Sequence, residues 1–139
     1  MNKKILISSI ICKIVLIILF SSQYNHELFF PFVNTFSLDT LNPWEYHFKN
    51  NYMDLFPYHA LMLYILVPFA NLANLLDIEF LFKLPLFFAD IAILYVLLKL
   101  LPHKEKSVYI FYFLNPIILY SIYIHAQLDI IPTALLMLS

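Results

Sequence analysis

The chain has 139 residues, of which 63% are hydrophobic and only 12% are charged, and it contains no glycine. Soluble domains carry roughly 25% charged residues, so this composition excludes an ordinary soluble domain with a polar surface. The absence of glycine excludes phosphate-cradling loops and dinucleotide fingerprints. The formal net charge of −1, with no long basic run, argues against nucleic acid as a partner. The composition therefore predicts a membrane protein.

Residues 5–22 form the first apolar stretch, and two lysines precede it. At about 1.5 Å per residue, the stretch and its flanks cross a hydrocarbon core of about 30 Å. A cleaved signal peptide is the alternative, but residues 20–22 (FSS) are a poor cleavage site. Lys13 lies in the middle of the stretch, where it should snorkel or face protein and not lipid. Segment 1–22 is thus predicted to be the first transmembrane helix, with a cytoplasmic N-terminus.

Segment 23–83 is predicted to lie outside the membrane and to form juxtamembrane or re-entrant helices. Residues 23–56 are polar, net acidic and rich in aromatic side chains, and the aromatic content argues against disorder. Residues 57–76 carry no formal charge, and a crossing helix is one interpretation. If they crossed, however, Lys104 and Lys106 would lie outside, against the positive-inside rule. The sequence therefore favours an interfacial helix at 57–76.

Segment 84–139 contains the remaining predicted transmembrane helices. Residues 84–101 and 108–124 are each long enough to cross, and the basic loop 102–107 between them is expected in the cytoplasm. The last apolar stretch, 130–139, reaches only about 15 Å, half of the hydrocarbon thickness. We expect an all-α, multi-spanning transmembrane helical bundle in the cytoplasmic (inner) membrane, truncated within its last helix. An interfacial last helix is the alternative.

Acidic side chains in the outer segment are candidate general bases, since a carboxylate held at the membrane surface can accept a proton from a substrate. Glu27 follows the first helix, Asp39 lies in a Ser-Leu-Asp-Thr turn, and Glu45 follows an Asn-Pro-Trp sequence. Their spacing does not select one of them. For any single one of the three acids, a solvated loop residue or a helix cap is the favoured interpretation.

Two further groups of polar residues lie within or beside the apolar stretches. Lys83 and Asp90 are seven residues apart, so they share nearly one helix face and could address a ligand or belong to a structural ion pair that ties two helices. His125, Gln127 and Asp129 alternate in one turn after the kink expected at residues 115–116. Metal binding is one interpretation of that turn, but the spacing is not a standard ligand pattern, and a hydrogen-bonded turn explains it without an ion.

The order of these elements resembles the N-terminal part of multi-spanning GT-C glycosyltransferases that use polyprenyl-phosphate sugars. The resembling elements are residues 56–64 (FPYHALMLY), 83–85 (KLP) with Asp90, 115–116 (NP) and 125–129 (HAQLD). The resemblance implies an inverting transfer of a sugar from a polyprenyl-phosphate carrier to a hydroxyl group, on the non-cytoplasmic side of the membrane. The acceptor would be a glycan or a lipid-linked molecule.

The resemblance also implies roles for individual residues. An acid of the first outer loop acts in that family as the general base or positions the acceptor, which maps onto Glu27 or Asp39 as the catalytic residue. Residues 125–129 resemble the family's GQxD element, although Ala126 stands where glycine is common. The implied substrate-binding residues are Glu45, His59, Lys83, Asp90, His125, Gln127 and Asp129, with His59, Lys83 or His125 stabilising the leaving phosphate.

Three alternatives stay open. The chain could be a small non-enzymatic membrane subunit whose polar residues hold helices together, a transporter fragment in which Lys83 and Asp90 line a path, or an inactive copy of the enzyme. No cofactor is indicated with certainty, and a divalent cation has no support in the residues. The expected partners are the lipid-linked sugar, its acceptor and membrane lipid, without nucleic acid.

Overall fold

The computed structural model describes residues 3–23, 25–37, 42–51, 56–73 and 75–139. Helix accounts for 78% of the described residues and none of them lies in a strand, which confirms the predicted all-helical class. The elements in chain order are α1 (Lys3–Leu19), the π-helical turn π1 (Asn25–Phe29), α2 (Phe30–Ser37), α3 (Pro43–Lys49), α4 (Ala60–Ala70), α5 (Ile78–Leu100), α6 (Glu105–Val108), π2 (Tyr109–Phe113), α7 (Pro116–Leu119), π3 (Tyr120–Ile124) and α8 (Ile130–Leu138).

The chain divides into two compact units. Unit 1 comprises Met1–Ser21 and Lys83–Ser139, and unit 2 comprises Ser22–Phe82. The division falls inside α5, whose first turn belongs to unit 2. At that first turn, the Asp77 carboxylate accepts a hydrogen bond from the Phe80 backbone amide at 3.0 Å. This N-terminal cap explains why the helix begins upstream of the apolar stretch predicted at 84–101.

One helix of the described residues, α5, is long and apolar enough to cross a membrane. Its 23 residues extend over about 35 Å at 1.5 Å per residue. The pair Glu105–Phe113 and Pro116–Ile124, bent by 46°, provides a second candidate if it is counted as one span. Helices α1 and α4 have 17 and 11 residues and fall short of that length. The described residues thus contain one or two candidate spans, fewer than the multi-spanning bundle that the sequence predicted.

The bend in that pair follows from its sequence. Pro116 has no amide hydrogen, so the preceding helix ends, and Pro116 starts α7 at a position where no hydrogen bond is needed. The Asn115 side chain caps the new helix by accepting the Ile117 amide at 2.9 Å. On the other side of the break, the Leu114 amide reaches the Tyr109 carbonyl at 2.8 Å, five residues back, which closes π2. The predicted kink at residues 115–116 is confirmed.

Apolar side chains form one part of the core of unit 1. This part contains a cluster of buried side chains from α5, α6 and π2, namely Leu94, Val108, Tyr109 and Phe113. Leu6 and Ile10 of α1 pack against this cluster, and α1 also contacts π3. Burial of such side chains stabilises the unit by about 1.5–3 kcal/mol for each fully buried large residue.

The core of unit 2 is largely aromatic. Phe32 is 1% exposed and stacks on His47 and on Phe56, with ring centroids 4.9 and 5.1 Å apart. Trp44 meets Phe32 edge to face at 5.2 Å, and Phe29 meets Phe56 in the same way at 5.8 Å. Helix α2 packs against α4, α3 and π1. Three of the aromatic residues whose number argued against disorder, Phe29, Phe32 and Phe56, are therefore buried in the interior of this unit.

His47 makes the stability of this core depend on pH. Its ring is buried against Phe32 and Nε2 lies 3.0 Å from the Thr35 hydroxyl, and burial lowers the pKa of His47 below its usual value of 6.5. Below about pH 6.5, His47 is therefore protonated more readily in the unfolded chain than in the folded chain. The contribution of the neutral His47 ring to the free energy of unfolding is complete above about pH 6.5 and is lost as the pH falls below it. We expect a smaller free energy of unfolding at pH 5.5 than at pH 7.5.

The control for this prediction is His47→Phe, which keeps the ring stack on Phe32 but cannot be protonated. Chemical denaturation of both proteins at the two pH values isolates the histidine, because the acidic residues titrate in both. The variant should lose less stability on acidification than the wild type. Equal losses would show that His47 does not control the pH dependence.

Candidate functional site

Unit 1 contains a buried ion pair in the middle of its helices. Lys13 of α1 and Asp90 of α5 are both 0% exposed, and the Lys13 Nζ atom lies 2.5 Å from Asp90 Oδ2. The two residues are 77 positions apart in the chain. A charge in an apolar interior is stable only when it is paired and hydrogen bonded. Lys13 can therefore be buried because Asp90 pairs with it, and the same holds for Asp90.

Two tyrosines complete the hydrogen bonding of the carboxylate. The Tyr112 hydroxyl donates to Asp90 Oδ1 at 2.8 Å, and the Tyr123 hydroxyl donates to Asp90 Oδ2. Tyr112 comes from π2 and Tyr123 from π3, so one carboxylate connects α1, α5 and both halves of the bent pair. Both oxygens of Asp90 therefore have partners from the protein itself.

Aromatic rings surround the ammonium of this cluster, which we call the Lys13 cluster (Lys13, Asp90, Phe113, Tyr112, Tyr123). Lys13 Nζ lies 3.5 Å from the ring centroid of Phe113 and 5.1 Å from that of Tyr123. Such cation–π contacts contribute about 2 kcal/mol or more when they are desolvated. The cluster fixes helices relative to one another, and within it no acid or base is left exposed to a substrate.

Lys83 and Asp90, predicted on one helix face, have different partners. The cation of Asp90 is Lys13, whereas the buried Lys83 ammonium donates to the Phe20 carbonyl at the end of α1. Asp90 therefore belongs to a structural ion pair that ties two helices, as one of the two interpretations predicted. Its partner, however, is Lys13 of α1 and not Lys83. The prediction that Lys13 faces protein is confirmed, since its side chain is fully buried.

Two of the predicted acids in unit 2, Glu27 and Glu45, are exposed. Glu27 is in π1, exposed, and its Oε1 accepts the Gln23 side-chain amide at 3.0 Å. Glu45 is in the first turn of α3, which Asn42 caps, and it pairs with Lys49 at 2.5 Å. That hydrogen bond and the charge of Lys49 hold the pKa of Glu45 below its usual range. Glu45 thus fits the alternative of a solvated acid in a helix end.

Two further predicted residues belong to the same stretch of chain. Asp39 lies outside the described residues. His59 is exposed and precedes α4, where its carbonyl accepts the Met62 amide at 2.9 Å. Of the predicted catalytic acids, Glu27 is therefore the one that the structure describes, and it is open to solvent.

The His125–Asp129 stretch of unit 1 forms a turn between π3 and α8. Ala126 has a positive φ of 59°, a left-handed conformation that costs a residue with a Cβ about 1–2 kcal/mol and that glycine adopts freely. His125 is half-buried and stacks on Tyr120, whereas Gln127 and Asp129 are exposed. The Gln127 amide donates to the Ser121 carbonyl at 2.9 Å, which anchors the turn through its backbone.

Metal binding finds no geometric support in the described ranges. Nowhere in them do three or more His, Cys, Asp or Glu side chains come together in a way that could hold an ion. The backbone hydrogen bond between Gln127 and Ser121 agrees with the alternative of a hydrogen-bonded turn between helices. The left-handed backbone of Ala126 was not predicted, and the one related signal in the sequence is that glycine is common at this position in the resembling family element.

Comparisons with known proteins add no assignment. No protein-family model matches the sequence, and searches of curated proteins and of solved structures found no significant match.

Proposed function

We propose that the chain is the N-terminal part of an integral-membrane glycosyltransferase of the GT-C type. The enzyme would transfer a sugar, with inversion, from a polyprenyl-phosphate carrier to a hydroxyl of a glycan or lipid-linked acceptor. In this proposal the protein is a multi-pass protein of the inner membrane, the N-terminus is cytoplasmic, and the reaction takes place on the opposite side.

The observation that carries the proposal is the position of Glu27. Its carboxylate is exposed and lies eight residues after the end of α1 at Leu19, within unit 2, a compact helical unit. If α1 crosses the membrane, eight residues of chain keep Glu27 within about 30 Å of the membrane surface. The sugar of a membrane-bound carrier lies at that surface, so an acid that acts as the general base must be exposed close to the membrane.

The chemistry assigned to Glu27 is general base catalysis. The carboxylate would take the proton of the acceptor hydroxyl while the hydroxyl oxygen attacks the anomeric carbon. The bond between that carbon and the phosphate oxygen breaks, and the phosphate leaves with the electron pair. A nearby cation would stabilise the leaving phosphate. His59, exposed in the same unit, suits this role better than Lys83, whose ammonium already donates to a backbone carbonyl.

The backbone conformation of Ala126 is a second observation that supports the resemblance. The family element similar to residues 125–129 has glycine at this position, and the left-handed φ of 59° is a conformation that favours glycine. The exposed Gln127 and Asp129 remain proposed substrate-binding residues on this turn. His125, stacked on Tyr120, would act through its ring edge.

The test is a transfer assay on the intact gene product that carries this chain, purified and reconstituted in proteoliposomes. We expect labelled sugar to pass from a polyprenyl-phosphate donor to a lipid-linked or glycan acceptor, and not from a nucleotide sugar. Use of the nucleotide sugar alone, or no transfer from any polyprenyl-phosphate donor, would contradict the proposal.

The proposed topology gives a separate prediction. Ser107 is exposed in α6, next to the basic loop, and should lie in the cytoplasm. In a Cys12→Ser background, Ser107→Cys should resist a membrane-impermeant thiol reagent in intact cells and react after the cells are opened. Efficient labelling in intact cells would place the loop outside and would contradict the interfacial placement of residues 57–76.

A second candidate function is a non-enzymatic membrane subunit. The observation that favours it is the Lys13 cluster, in which both Asp90 oxygens are occupied by groups of the protein itself. Such a cluster specifies how helices assemble without any substrate. An intact protein that assembles with a partner but transfers no sugar would support this candidate over the enzyme.

A further inference from the structure

Unit 1 contains a cavity of about 620 Å³ beside its basic connection between α5 and α6. This volume lies within the range of roughly 300–1,000 Å³ that is usual for sites that bind small molecules. The cavity is separate from the Lys13 cluster, with which it shares no lining residue. Its side chains come from the N-terminal part of α1, from the connection itself, from α6 and π2, and from Leu114, which directly follows π2.

The lining of the cavity is amphipathic. Ile5, Ile110 and Leu114 provide an apolar wall, and all three are at least one-third exposed. Lys106 and His103 provide nitrogen atoms that can donate hydrogen bonds, and both are exposed. An ammonium and an imidazole beside exposed aliphatic side chains suit a ligand that has a negatively charged head and a hydrocarbon chain.

The charge of the surrounding segment has the same sign. Glu105 also lines the cavity, but Lys104 and Lys106 leave residues 102–106 with an excess of one positive charge. Basic pockets between helices on the cytoplasmic side of a membrane are typical binding sites for anionic lipid head groups. Charge complementarity therefore selects an anionic lipid over a neutral one.

We propose that this cavity binds one anionic phospholipid, with the phosphate at Lys106 and His103 and an acyl chain along Ile5, Ile110 and Leu114. The inference uses the proposed membrane placement, with residues 102–107 in the cytoplasm, and is independent of sugar transfer. The bound lipid would hold the N-terminal part of α1 and the connection between α5 and α6 at the inner membrane surface.

The test is electron paramagnetic resonance of spin-labelled lipids with the intact protein in phosphatidylcholine vesicles. We expect labelled phosphatidylglycerol to be retained at the protein about fivefold more strongly than labelled phosphatidylcholine, the ratio typical of one lysine near a lipid surface. In Lys106→Gln/His103→Gln the ratio should fall to about one. Equal retention of the two lipids by the wild type would overturn the proposal.

Two matched arms make the test specific. Lys99→Gln removes the same charge at the C-terminal end of α5, from a side chain that lies over Tyr95 and does not line the cavity, so it should preserve the ratio. Glycerol 3-phosphate in solution should not displace the lipid, because it lacks the acyl chain. An equal loss in Lys99→Gln, or displacement by glycerol 3-phosphate, would refute a phospholipid site. Sugar transfer is measured separately, so failure here leaves the proposed enzyme untouched.

Discussion

Lys13→Met should lower the free energy of unfolding by about 3–5 kcal/mol. The substitution keeps the length and most of the volume of the side chain but leaves Asp90 buried without its cation. The two tyrosine hydroxyls still donate to the carboxylate, but they carry no charge to offset it. Denaturant titration of the purified protein in detergent micelles, followed by circular dichroism, measures the loss.

The double variant Lys13→Met/Asp90→Leu separates loss of the charge pair from loss of packing. Because both charges are then gone, it should recover most of the stability that the single variant loses. Lys99→Met is the control for removal of an exposed lysine and should change the free energy of unfolding by less than about 0.5 kcal/mol. A double variant as unstable as Lys13→Met would show that the charge pair is not the source of the effect.

The ion pair shows what the sequence could predict and what it could not. A lysine in the middle of an apolar stretch predicts that its side chain avoids lipid, and the burial of Lys13 confirms this. Its partner could not be chosen, because Lys83 shares a helix face with Asp90 while Lys13 is 77 residues away. Helical periodicity describes neighbours within one helix, whereas contacts between helices depend on packing that local patterns do not encode.

The presence of the helices and the kink between two of them were predicted more accurately than the residues at which the helices begin and end. The kink at residues 115–116 follows from proline chemistry and was predicted, whereas α5 begins at Ile78, upstream of the apolar stretch. Hydropathy registers the apolar stretch but not the cap at Asp77, which places the start of the helix before the charged residues Glu79 and Lys83. The left-handed Ala126 could not be derived from composition, because alanine normally favours helix.

Glu27→Gln should reduce sugar transfer by the intact protein by a factor of about 10²–10⁴, the usual contribution of a general base. Glutamine has the same shape as glutamate and can still accept the Gln23 hydrogen bond, so π1 should keep its structure. An amide cannot take the proton of the acceptor hydroxyl, so the loss should appear in kcat while the KM for the donor changes little. The measurement is the rate of transfer from the polyprenyl-phosphate donor in proteoliposomes.

Asp77→Asn is the matched control, since it also replaces an exposed acid of unit 2 by its amide and can keep the hydrogen bond to Phe80. It should retain wild-type transfer, which would show that loss of one negative charge from this unit is not enough to abolish activity. Wild-type turnover by Glu27→Gln would remove Glu27 from the chemical step, and the same assay on Asp39→Asn would then decide whether the other outer-loop acid is the base. If neither substitution slows transfer, neither Glu27 nor Asp39 is the general base, because a carboxylate that accepts the proton cannot be replaced by its amide without loss of rate.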